Sequence, residues 1–125
     1  MDGGYKVLSL DYRNVNSGSS SGCDRSSSSR DWRGPDWYRM KMPAGVKIPE
    51  HVVDEEHCGT HATGWLRGTH PMTPHTTVSR TVCFNWSSNS CWKQIDIQIR
   101  NCSGFYVYHL PATPSCSLRY CSVND

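Results

Sequence analysis

Seven cysteines, Cys23, Cys58, Cys83, Cys91, Cys102, Cys116 and Cys121, constrain this 125-residue chain more than any other feature. From Cys58 onward they follow one another at intervals of 25, 8, 11, 14 and 5 residues. That density marks a disulfide scaffold, and no interval gives the paired Cys-x-x-Cys knuckles of a structural zinc site. Bridges also answer a physical shortage. Only 36% of residues are apolar, so burial alone offsets the conformational entropy of folding poorly. Each native bridge is worth about 2–4 kcal/mol, and three rival the net stability of a small domain. The expectation is an oxidising, extracellular compartment, with one cysteine of the seven left over.

A chain of this length is expected to form one domain. Its net charge of +2 gives no large basic face, so neither nucleic acid nor an anionic membrane surface is an expected partner. The first apolar stretch, Tyr5 to Leu10, is broken at Lys6 and Ser9 and is too short for a signal-peptide core or a membrane span. Cysteines without an export signal conflict, and the chain reads as an incomplete gene model or an excised domain whose signal peptide is missing.

Residues 16–30 hold eight serines and two glycines and no aliphatic or aromatic side chain, the composition of a mobile loop, with Cys23 placed to tie it down. Trp37 to Met42 alternates aromatic or thioether side chains with Arg39 and Lys41 and reads as a strand ending at Pro43-Ala44-Gly45. From Gln94 to Arg100, Ile95, Ile97 and Ile99 face one way and Asp96, Gln98 and Arg100 the other, a half-buried strand. Asn101 to Gly104 supplies a turn, and Phe105 to Leu110 completes a hairpin. Thr76 to Phe84 and Ser117 to Cys121 are weaker strand candidates. The expected fold is mainly β: a small disulfide-rich domain of antiparallel strands and long loops with little helix. Residues 1–31 form an N-terminal strand and serine-rich loop, 32–121 the cysteine-rich core and 122–125 a tail. Trp37, Trp65 and Trp92 are expected in the core, and Trp86 exposed.

Trp37-Tyr38, His57-Cys58-Gly59-Thr60-His61-Ala62, Trp65-Leu66, His70-Pro71, Gly104-Phe105-Tyr106-Val107-Tyr108 and Arg119-Tyr120-Cys121 together resemble the eight-cysteine domain of the uromodulin and pancreatic secretory granule glycoprotein type. The resemblance runs from about Tyr5 to Cys121. It implies a secreted or surface-anchored, non-enzymatic module of a larger glycoprotein, with other proteins or glycan-binding adhesins as partners. Some members act as soluble decoys whose glycans occupy microbial adhesins. The family's cysteines before Tyr5, six residues before Cys58 and beside Cys91 are matched here by about Asp2, Val52 and Ser90. If Val52 and Ser90 replace one bonded pair, a bridge is lost cleanly, whereas the missing N-terminal cysteine leaves an orphan. Cys23, or the usual partner of that missing cysteine, is the expected orphan, and an exposed orphan could link two chains.

Two sequons stand out, Asn85-Trp86-Ser87 in a polar loop and Asn101-Cys102-Ser103 in a tight turn, with glycosylation expected more readily at Asn85. The His57-Cys58-x-x-His61 cluster, with His51, His70 and His75 nearby, could suggest zinc or a cysteine nucleophile. A bridged Cys58 offers no thiolate, so the expectation is a tight Gly59-Thr60 turn with His61 hydrogen-bonded inside it, no metal, no cofactor and no catalysis. Two rivals stand beside the recognition module. One is a structural matrix spacer assembling through an unpaired cysteine; the other is an intracellular zinc-binding protein.

Overall fold

The computed structural model describes residues 4–20, 22–25 and 29–125. Among them the chain forms β1 (Lys6–Leu8), a 3₁₀ turn (Asp11–Arg13), β2 (Asp36–Met40), β3 (Ala62–Arg67), β4 (Thr77–Trp86), β5 (Asn89–Asn101), β6 (Tyr106–Leu110) and β7 (Leu118–Tyr120). These strands make one mixed sheet in the order β1-β2-β6-β5-β4-β3-β7. The centre is antiparallel, and the two flanks, β1 on β2 and β7 on β3, are parallel.

The period-2 pattern built the centre of this sheet. Ile97 and Ile99 are buried and Ile95 half-buried, while Asp96 and Gln98 on the opposite face are exposed. β5 pairs with β6 from Gln98↔His109 to Asn101↔Tyr106, the expected hairpin, and with β4 along most of its length. One face buries Leu8, Met40, Leu66, Phe84, Ile99 and Leu110. Large aromatics join them with their polar tips satisfied, as burial demands. The Tyr38 hydroxyl donates to the Gly34 carbonyl, the Tyr120 hydroxyl to the Pro111 carbonyl, and Trp32 Nε1 to the Leu110 carbonyl at 3.0 Å.

Strand β3 was not expected, because its Gly64 weakens a strand pattern. Here the glycine is required. A Cβ at Gly64 would stand 2.7 Å from the Arg119 carbonyl and 2.9 Å from Phe84, so only its absence lets β7 close against β3. The tryptophans are also redistributed. Trp32 is buried, Trp37 and Trp65 are half-buried, and Trp92 is 41% exposed. Trp92 lies on the solvent side of β5, between Cys91 and Lys93, and Lys93 Nζ rests over its ring at 5.1 Å. Trp86, expected outside, packs half-buried against the core.

The serine-rich stretch is drawn inward where it is described. Cys23, Asp24 and Ser29 are buried; the mobility expected for Ser21 and residues 26–28, like the Asp2 position, lies outside the described residues. Arg13, fully buried, holds this segment. It has five N–H donors and makes five hydrogen bonds: two to Asp24, two to Asp31 and one to the Tyr120 carbonyl. Asp24 also accepts from the Ser29 hydroxyl and the Tyr120 amide. Arg119 Nε stands 3.4 Å from Asp24, an ion pair without hydrogen-bond geometry, and its guanidinium lies 4.1 Å from the Tyr12 ring centroid. Ser122 is buried, and Asn14↔Ser122 and Lys47↔Val123 bridges bind the last residues to the body.

Three disulfides close among the described residues: Cys23–Cys116, Cys58–Cys121 and Cys83–Cys91. Cys23, the expected orphan, is therefore bonded, because burial of Asp24 brings its neighbour to the loop before β7. The sequence separations of 93 and 63 give loop-closure contributions of about 4–5 kcal/mol each, against about 2–3 kcal/mol for the eight-residue hairpin loop. Cys102 is buried, and its Sγ lies 4.0 Å from the Arg100 carbonyl.

Replacing Arg13 with Met strands two buried carboxylates and should cost about 3–5 kcal/mol, read as a lowered urea midpoint of the oxidised protein at pH 7. Asp31 adds a pH signature. Burial raises its pKa, but Arg13 outweighs this and holds the carboxyl below its ordinary value. Its contribution is complete above the unfolded value of about 4 and is lost as pH falls through the lower folded value. Acid titration of stability should thus show a flatter limb below about pH 4 in Asp31→Asn.

Candidate functional site

Asn85 lies not in a loop but near the end of β4, opposite Thr63 of β3. The strand runs one residue further, and Ser87 and Ser88 turn the chain with φ of 55° and 62°. That pair of left-handed residues makes the kind of two-residue turn that suits a hairpin's twist, here built from serine rather than the usual Asn-Gly. The Cys83–Cys91 bridge spans the hairpin below the turn, and Trp65 Nε1 donates to the Ser90 carbonyl at 2.8 Å. The sequon therefore sits on a stapled hairpin whose tip, Ser87 to Ser90, is exposed.

Asn85 is half-buried, and its Nδ2 donates to the Val53 carbonyl at 2.8 Å, which also accepts from Thr63 Oγ1 at 2.8 Å. A glycosylated amide retains one N–H, enough to keep this bond. Asn101 is different. It is 8% exposed; Nδ2 donates to the Pro71 carbonyl at 2.8 Å, and Oδ1 accepts from the Ser103 amide. Both ends of that side chain hold the turn into β6, leaving no room for a sugar.

The histidines are dispersed to separate tasks. Cys58 is bonded to Cys121; Cys58 and Gly59 adopt left-handed φ of 57° and 64°, and the Thr60 amide donates to the His57 carbonyl. This is the expected turn. The His61 carbonyl accepts from the Glu56 amide, while its ring lies 5.8 Å from that of Trp86. His57 Nδ1 is 3.0 Å from the Val15 carbonyl. Among the described residues no three His, Cys, Asp or Glu side chains gather as metal ligands, and the sulfur that a zinc or nucleophile reading needs is in a bridge. Among those residues, too, no helix is long and apolar enough to cross a membrane.

His70 belongs to a buried relay that sequence reading missed. Nδ1 and the His70 amide both face Glu50 Oε2, at 2.5 and 2.7 Å, and Nε2 is 2.7 Å from the Tyr108 hydroxyl. That hydroxyl accepts from the Ile48 amide at 3.1 Å. One arrangement satisfies every group: Nδ1–H donates to Glu50, Tyr108 donates to Nε2, and Ile48 donates to Tyr108. A proton on Nε2 would leave the hydroxyl hydrogen with no acceptor. Burial lowers the His70 pKa, and the Glu50 carboxylate only partly opposes it; burial drives the Tyr108 pKa far up. The relay fixes the Glu50 loop to β6 and offers no ionised nucleophile. No local spacing announces it, since its members come from three separate segments.

Long-range ¹H–¹⁵N NMR should find His70 neutral, protonated on Nδ1, and titrating below the ordinary histidine value near 6.5. A neutral buried imidazole stabilises the fold above the unfolded pKa, and that stability falls as pH drops through the folded one. An imidazolium at pH 7 would refute the assignment.

Comparison with known proteins places these features in context. The uromodulin-like domain family matches residues 38–122. The pancreatic secretory granule membrane major glycoprotein GP2 of Homo sapiens is 37% identical over 121 residues, 95% of this chain and 21% of that protein. GP2 of Canis lupus familiaris is 48% identical over 88 residues, 69% of this chain and 17% of its own length. Uromodulin of Rattus norvegicus is 38% identical over 119 residues, 94% of this chain and 17% of its own length. The chain thus spans about a fifth or less of the relatives it matches.

Proposed function

This chain belongs to the uromodulin-like domain family, and from that premise we propose that it is a non-catalytic recognition module of a larger extracellular glycoprotein, presenting an N-glycan at Asn85 to glycan-binding adhesins. Three bridges suit an oxidising compartment. The observation that carries the reading is the Asn85 hairpin. The sequon stands half-exposed at the base of an exposed, disulfide-stapled turn, with one amide hydrogen committed to Val53 and the other available for substitution. Trp86 and His61 pack beside it and fix the strand. A glycan attached there leaves from a rigid base, which limits the conformational freedom that an adhesin must remove on binding. As in the sequence reading, residues 1–31, 32–121 and 122–125 belong to one unit in this proposal, since the Arg13 network and the Ser122 bridge join all three.

The protein should be expressed through a secretory pathway and its intact mass measured before and after glycosidase, then tested against a lectin-type adhesin. One N-glycan is expected, lost in Asn85→Gln and retained in Asn101→Gln if the latter folds. Adhesin binding should vanish with Asn85→Gln. A secreted protein bare at Asn85, or adhesin binding that survives loss of that glycan, would overturn the proposal.

A further inference from the structure

A second surface lies where the sheet opens. The β2–β6 ladder runs from Asp36↔Leu110 to Tyr38↔Tyr108 and stops, although β2 continues to Met40 and β6 begins at Tyr106. Beyond that point the strands serve their other neighbours. Arg39 and Met40 pair with Val7 and Leu8 of β1, while Tyr106 and Val107 pair with Asn101 and Arg100 of β5. A groove of about 390 Å³ occupies the seam, within the range of ligand sites.

Its lining combines two chemistries. Arg39, Lys41 and Lys47 bring positive charge; Met42, Val46 and Phe105 bring apolar surface, and the lining contains no carboxylate. Among the described residues none of the three cations has an ion-pair partner within salt-bridge distance, although the charge of Lys47 reaches Glu50. Met42 is 55% and Val46 38% exposed. The Arg39 guanidinium is held 3.9 Å from the Phe105 ring centroid and donates to the Tyr5 hydroxyl at 3.1 Å. Its Nε is buried without a hydrogen-bond partner, a donor left unspent.

We propose that this seam binds an extended acidic peptide segment of a protein partner, its carboxylates on Arg39 and Lys41, its apolar side chains against Met42 and Phe105, and its backbone pairing with the strand edges that the β2–β6 ladder leaves off. Alternation fits the arrangement. Successive side chains of an extended peptide face opposite ways, so acidic and apolar residues in turn meet the cations and the apolar wall, while main-chain bonds supply affinity. An anionic carbohydrate would meet the cations but would waste the exposed thioether and valine. The proposal rests on the reading of the domain as a recognition module and not on its glycan, so Asn85→Gln protein separates the two.

The test uses the oxidised Asn85→Gln chain and a fluorescein-labelled octapeptide alternating glutamate and valine, followed by fluorescence anisotropy. Saturable binding is expected to weaken with salt, to fall at least about tenfold in Lys41→Glu and severalfold in Met42→Ser, and to protect the Arg39–Lys41 and Gly104–Val107 amides from hydrogen exchange. Both substitutions are at exposed side chains, and near-ultraviolet circular dichroism confirms that each variant is folded. A lysine–valine octapeptide should not bind, and backbone N-methylation of the acidic peptide should abolish binding. No saturable binding, equal binding of the N-methylated peptide, or binding of a heparin octasaccharide in place of the peptide would overturn the proposal.

Discussion

The bond between Arg13 and Asp24 organises the molecule. Two opposite charges with fully buried side chains are costly to desolvate, and they are tolerated only when every donor and lone pair finds a partner. Arg13 meets that condition with all five N–H groups. Burial works against its charge, yet Asp24 and Asp31 outweigh the loss and leave its pKa raised. The partners come from the serine-rich segment and from β7, so satisfying one guanidinium fixes the beginning, a poorly hydrophobic middle and the end of the chain at once. Association of so polar a segment with a core would otherwise have little to drive it.

The bridges depend on this geometry. With Asp24 buried beneath Tyr120, Cys23 stands within reach of Cys116, and the chain on either side of β7 is held twice, by Cys116 and by Cys121. The parallel flanks of the sheet follow. β7 is three residues long and β1 likewise, too short to hold by ladder hydrogen bonds alone. Around β7, cross-links and a buried ion network replace the apolar area that a larger domain would have. The central strands β4, β5 and β6 are organised differently, by alternation and a hairpin bridge, which is why their pattern was readable.

A scaffold fixed in this way leaves its surfaces free to vary. The β4–β5 hairpin carries a sequon on a stapled base, and the opened β2–β6 seam carries cations beside apolar side chains. Neither contributes much to the core. The His70 relay, by contrast, is interior machinery: Glu50, Tyr108 and the Ile48 amide use the imidazole to lock a loop, which accounts for a histidine that spacing alone could have suggested as a ligand.

By itself the sequence determined the class of fold, the Ile95-Ile97-Ile99 strand and its hairpin partner, the reliance on bridges and the family, because alternation, turn chemistry and cysteine spacing are local signals. The tertiary structure alone decided the rest. It put Trp32 inside and Trp92 outside, bonded Cys23 to Cys116, made Gly64 the close-approach point of β3, set Asn85 in a strand and locked Asn101. It also buried Arg13, Asp24 and Arg119, which by composition belong on the surface. The physical reason is common to all of these. Each depends on a partner dozens of residues away, as Asp24 depends on the Tyr120 amide and Asn85 on the Val53 carbonyl, and a residue's neighbours along the chain carry no record of the group that will meet it across the fold.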